Sequence, residues 1–156
     1  MKKLFTLIVW TLFAQNTFAQ LTVVTPPTTV VIGKVMASTV IIGEELSYSI
    51  NGTDTTTQLL FWDTRYPSLT QYSSITFKGG AKTVTDFYNQ LSNFFTDDNK
   101  AAETGTVKVT FTLGDNSVTL SNYLSLGIQS VMITTGKGTA RMMTKKQVNK
   151  LFGKQP

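Results

Sequence analysis

The chain has 156 residues, a net charge of +5, no cysteine and no histidine. Without thiolate or imidazole it excludes ordinary zinc sites and Ser-His-Asp or Cys-His catalysis, and an exported fold would have to stand without disulfides. Charge is uneven: Lys137, Arg141, Lys145, Lys146, Lys150 and Lys154 follow Gly136 with no acid among them, whereas residues 20–136 hold six basic and nine acidic residues. The basic character therefore belongs to the C-terminal end.

Lys2 and Lys3 precede an apolar run from Leu4 to Phe13, and small or polar residues end at Thr17-Phe18-Ala19. A charged start, an apolar middle and small residues before a cut make the layout of a secretory signal peptide, so residues 1–19 are assigned to it and the product is expected in the periplasm or outside the cell. An uncleaved anchor is the other reading, although the run is short for a spanning helix of ~20 residues. No later run is long enough to cross a membrane, so no transmembrane segment is expected after cleavage. The rest has the length of one domain.

Residues 20–33 are rich in Val, Ile and Thr but contain Pro26-Pro27, which reads as an extended N-terminal arm. A single domain is then expected over residues 34–156. Lys34 to Ile42 is expected as a strand ended by Gly43. Leu46 to Ile50 alternates, with Leu46, Tyr48 and Ile50 inward, and Asn51-Gly52 turns the chain. Leu59, Leu60, Phe61 and Trp62 form a continuous apolar run, which suggests a strand covered on both faces. Tyr66-Pro67-Ser68 is a turn signal. Tyr72 to Lys78 alternates again, with Ser73, Ile75 and Phe77 on one side, and Gly79-Gly80 ends it.

The strongest helical signal follows. Val84, Phe87, Tyr88, Leu91, Phe94 and Phe95 recur at the spacing of one helix face. The helix is predicted over about 83–96, with Thr83 as N-cap and Asp86 completing a weak capping box. Asp97-Asp98-Asn99 is expected to stop it, with the carboxylates at its negative end. Thr106 to Leu113 alternates, with Val107, Val109, Phe111 and Leu113 inward. A turn at residues 114–117 returns Val118 and Leu120 to the same face. Ile128 to Thr135 reads as a central strand and Thr139 to Met143 as a last short one. Thr144-Lys145-Lys146-Gln147 is a capping box opening a helix over about 144–152, with Val148, Leu151 and Phe152 on one face and Gly153 closing it. No internal repeat of fixed period is present. These elements predict an α+β fold, a two-layer antiparallel β-sheet packed by one main amphipathic helix, with a β-sandwich and capping helix as the alternative.

Four constellations could carry chemistry. Trp62, Arg65, Tyr66 and Tyr72 group aromatic faces with hydrogen-bonding side chains, a platform for sugars or other flat ligands; the plainer reading places the rings in the core. Arg141, Lys145, Lys146, Lys150 and Lys154 could meet an anionic partner, or could be the solvated side of a docked helix. With one arginine among them, bidentate phosphate or base recognition is disfavoured, and no nucleic-acid partner is expected. Gly136-Lys137-Gly138-Thr139 lacks the order of a phosphate loop and reads as a hairpin turn. Glu44-Glu45, Asp63, Asp86 and Asp97-Asp98 show neither the separation of a glycosidase pair nor the spacing of a calcium loop. Asn51-Gly52-Thr53 matches a glycosylation sequon, relevant only in a eukaryotic secretory route.

No catalytic residue, metal or cofactor is expected. The sequence favours an exported, non-catalytic module that binds a protein or an envelope polymer. A structural subunit, assembling into a homo-oligomer by adding its N-terminal arm to a neighbour's sheet, is the second reading. A carboxylate-dependent enzyme is the third.

Overall fold

The computed structural model describes residues 26–38, 42–63, 71–100 and 102–154. The signal-peptide assignment, Arg65 and Tyr66 lie outside the described residues. Strands β1 (Thr28–Met36), β2 (Ile42–Asn51), β3 (Asp54–Trp62) and β4 (Tyr72–Lys78) precede helix α1 (Ala81–Asn93) and a single turn, α2 (Asp97–Lys100). Strands β5 (Lys108–Leu113), β6 (Asn116–Ser125), β7 (Ile128–Thr135) and β8 (Ala140–Thr144) precede helix α3 (Lys145–Leu151).

The α+β class is as expected, and the strands divide between two four-stranded antiparallel sheets, β1-β2-β3-β4 and β5-β6-β7-β8. Four strands followed by helix thus occur twice in a chain whose sequence shows no repeat. The inner faces share one core with the helices: Leu46, Leu59, Phe61, Ile75 and Phe77 from the first sheet, and Leu113, Val118, Leu120, Val131, Ile133 and Met143 from the second. Phe87 and Leu91 of α1 and Val148 and Leu151 of α3 complete it, with Phe94, Phe95 and Phe152 just past the helix ends. The Phe87 ring meets Phe77 of β4 at 6.4 Å, Phe111 of β5 at 6.0 Å and Phe152 at 5.7 Å, all edge-on. Edge-on contacts suit the ring quadrupole and add to the apolar burial.

Several local expectations hold. β4 and β7 have the expected bounds, and Val118 and Leu120 are buried. Thr144 and Gln147 form the reciprocal capping box of α3, whose Val148 and Leu151 are buried. Other expectations are corrected. The stretch Lys34 to Ile42 is the end of one strand and the start of the next. Small residues at the bend, Ala37-Ser38, give no Gly or Pro signal there. Thr28 to Gly33, expected as arm, pairs with β2 within β1. Thr83 is not the N-cap of α1. Gly80 is, without a side-chain cap bond, because Gly79-Gly80 lets the chain enter the helix earlier and the Thr83 side chain lies 2.3 Å from where a Gly79 Cβ would stand. Asp86 instead bonds Lys82 at 2.7 Å. Asp97 and Asp98 lie in the first turn of α2, the end of a helix that favours carboxylates.

Burial also fades toward the sheet margins. Ile50 and Val109 are 40% and 38% exposed although their faces point as expected, because β5 is an edge strand and Ile50 lies near the β2–β3 turn. β3 is fully covered on one face only: Leu59 and Phe61 are buried, Leu60 and Trp62 half-buried.

Candidate functional site

In a strand, alternate residues share a face. The core takes Thr57, Leu59 and Phe61 of β3, so Thr56, Gln58, Leu60 and Trp62 are turned outward. The register then assembles rows across the outer face of the first sheet. Trp62 stands opposite Tyr72; Leu60 lies between Glu45 and Ser74; Gln58 lies between Ser47 and Thr76; Thr56 lies between Ser49 and Lys78. Thr29 of β1 extends the last row, its hydroxyl 3.0 Å from that of Ser49. Adjacent strands lie ~4.8 Å apart and same-face residues ~6.8 Å apart along a strand, so the Gln58 amide and the Ser and Thr hydroxyls recur at regular spacings, interrupted by Leu60 and with Val31 opposite a buried Ser47.

Two of the four aromatic-cluster residues are therefore brought together. Tyr72 is exposed and its hydroxyl donates to the Ile42 carbonyl at 2.8 Å, which holds its ring across the sheet. Trp62 is half-buried beside it. Arg65 and Tyr66 belong to the connection between β3 and β4, outside the described residues. Lys34 and Glu45 form an ion pair at 2.7 Å on the outer face. The polar rows were not anticipated. Their Ser and Thr residues come from strands whose register is set by turns and by burial of the opposite face, and alternation alone does not align one strand with another.

The basic residues do not act as one patch. Arg141 of β8 turns inward and pairs with Glu44 of β2, whose side chain is fully buried. Lys145 and Lys146 are exposed at the start of α3, Lys150 at its end, and the Lys154 ammonium sits 5.6 Å from the Tyr88 ring centroid. A cation at that distance is attracted by the ring face.

The acids are likewise dispersed. Glu44 faces the core and Glu45 the outer face, as expected of neighbours on a strand. Among the described residues the second oxygen of Glu44, Oε2, has no hydrogen-bond partner, and the space lined by Leu59, Phe61, Ile133 and Met143 leaves no room for water there. Burial raises the Glu44 pKa above its ordinary 4.5, against the lowering effect of the Arg141 charge and hydrogen bond. No group of three or more His, Cys, Asp or Glu among the described residues could hold a metal ion. No helix among them is long and apolar enough to cross a membrane.

A groove of about 410 Å³ lies between the first sheet and the start of α1. Ile32, Tyr48, Thr55, Thr57, Gly80, Ala81, Val84 and Thr85 line it. Thr57 donates to the Gly79 carbonyl at 2.8 Å and Thr85 to the Ala81 carbonyl at 2.8 Å. Thr55 and Thr57 belong to β3, just after the turn at Asn51-Gly52. The groove brings no acid–base pair together. No protein-family model, curated protein or solved structure matches this chain.

Proposed function

We propose that the protein is an exported, non-catalytic binding module whose ligand, an envelope polymer or a protein, lies across the outer face of the first sheet. The observation that carries this reading is the Trp62–Tyr72 pair at the end of the Ser, Thr and Gln rows. An aromatic surface takes the apolar face of a sugar or the side chain of a partner, and regularly spaced hydroxyls and amides take its polar groups. The signal-peptide layout of residues 1–19 supports export. A polymer is favoured over a small molecule because the rows run across all four strands, well beyond the pocket at their margin, which Thr56, Thr76 and Lys78 line with Gly114 and Asp115. The chemistry is recognition by many weak contacts, with affinity gained from repetition along the ligand.

Binding of residues 20–156 to insoluble cell-wall polysaccharides and to an array of soluble glycans tests this. Tyr72→Ala and Gln58→Ala are expected to weaken retention about tenfold each, the scale of ~1.4 kcal/mol, with melting temperatures within a few degrees of wild type. Retention unaffected by either substitution removes the outer face as the site.

A further inference from the structure

The β6–β7 hairpin ends in a way that the fold does not require. Ser125 pairs with Ile128, so Leu126-Gly127 is a two-residue turn, and both residues have positive φ, 51° and 76°. Such turns favour Asn, Asp or Gly, because a side chain with Cβ is strained at positive φ. Leu126 is the only non-glycine residue of this kind among the described residues, and it is 99% exposed. Leu124 and Ile128 beside it are 48% and 57% exposed. By strand alternation Leu124 continues the inner face with Leu120, while Ile128 shares the outer face with Met132, so the hairpin end is aliphatic on both faces and at its tip. Backbone strain combined with exposed apolar surface is a cost that points to a use.

The groove beside α1 has the matching character. It is lined by Ile32, Val84, Ala81 and threonines, and its one titratable lining group is the Tyr48 phenol. Its volume is in the range that encloses a small molecule, ample for a leucine side chain and part of its turn. Charge admits the match as well. The hairpin end from Leu124 to Ile128 carries no charged side chain, and the charged residues next to the groove on α1, Lys82 and Asp86, neutralise each other at 2.7 Å. Seating one in the other buries no unpaired ion. The flanks of the hairpin carry both signs, Lys145 and Lys146 after β8 and Asp97, Asp98 and Glu103 before β5, which favours a protein surface over an anionic bilayer.

Position decides the geometry. The groove adjoins Gly80 to Thr85, the start of α1, whereas Gln129 at the base of the hairpin donates to the Phe94 carbonyl at 2.6 Å, just past the end of α1. Knob and groove therefore lie at opposite ends of a helix ~20 Å long, too far apart to meet within one molecule.

We propose that this chain associates head to tail with further copies of itself, the β6–β7 hairpin end of one copy seated in the α1 groove of the next. The contact is heterologous, so a pair of copies still offers one free knob at one end and one free groove at the other, and the assembly grows as an open chain. One hairpin end supplies less than the ~800 Å² per partner of a standard interface, so association is weak, reversible and dependent on concentration. It uses neither the outer face of the first sheet nor a donated N-terminal strand.

Sedimentation equilibrium on residues 20–156, which contain every described residue, tests the proposal. The wild-type mass is expected to climb with concentration past that of a dimer. Leu126→Asn removes the knob while suiting the turn, and is expected to weaken association at least tenfold without lowering the melting temperature. Thr85→Trp fills the groove and is expected to have the same effect on mass. Mixed together, the two variants each retain one intact half and are expected to form a one-to-one pair and nothing larger. A wild-type monomer at all concentrations, association insensitive to Leu126→Asn, or a mixture that stays monomeric overturns the proposal. Flotation of monomeric wild type with anionic phospholipid vesicles, lost in Leu126→Asn, overturns it in favour of a lipid surface.

Discussion

Glu44 and Arg141 lie 97 positions apart and meet between the two sheets. From sequence, Arg141 belonged with the basic tail, since nothing local distinguishes it from Lys145 or Lys146. Alternation, a local rule, puts Glu44 and Glu45 on opposite sides once both lie in a strand, but that β2 begins early enough to include them was not evident from sequence. Which face would be buried, and which cation would follow the acid inside, depended on how the sheets pack. The pair has a consequence for pH. With its pKa raised by burial, Glu44 holds a proton more tightly in the folded than in the unfolded chain. The stability it contributes is complete below its ordinary 4.5 and is lost as pH rises through its higher folded value. Thermal melting from acid to neutral pH checks this: Glu44→Gln is expected to lose that part of the pH dependence, so that its melting temperature gains on wild type as pH rises. Arg141→Ala leaves the carboxyl buried without its cation and is expected to cost about 3 kcal/mol in urea unfolding at neutral pH.

Among the elements, α3 was the most legible, since its capping box and apolar face are written in consecutive residues. The β1–β2 boundary was not, because Ala37-Ser38 bend the chain without a turn signal. Nor was the role of Gly33, at the end of the stretch expected as an arm. In the fold it is where α3 lands on β1. A Cβ there would stand 2.4 Å from the carbonyl oxygens of both Lys150 and Leu151, and the strand register shifts beside it. Backbone cannot yield to a methyl group as a flexible side chain can. Gly33→Ala is therefore expected to destabilise by about 2–3 kcal/mol, the scale of overpacking in a core. Equilibrium urea unfolding checks it, and an unchanged midpoint would mean that α3 does not dock here. Thr83 teaches the complementary lesson: its spacing to Asp86 resembled a cap, but two glycines before it moved the start of α1 upstream.

At the level of the molecule, the α+β class was readable because each element announces itself by period. The division into two sheets was left open between one sheet and a sandwich, since alternation says which face is apolar and nothing about which strands share a ladder. What joins the sheets is the side of α1 that carries Phe87. Its ring touches a phenylalanine from each sheet and the residue after α3. Phe87→Ala is expected to cost about 3–5 kcal/mol, and calorimetry of the variant and of wild type is expected to show one transition, because neither sheet has a core of its own. Two separated transitions would contradict that view. The connectivity also sets an order of events. Each strand pairs with its neighbour in sequence, so both meanders close locally, but the helix packed most closely on β1 is α3, more than a hundred residues later. At a synthesis rate of ~5–20 residues per second, the inner side of the first strand waits roughly 5–20 s for its partner. Val35, buried in the finished fold, is left for that time as bare apolar surface of the kind a holding chaperone covers while the chain is being made.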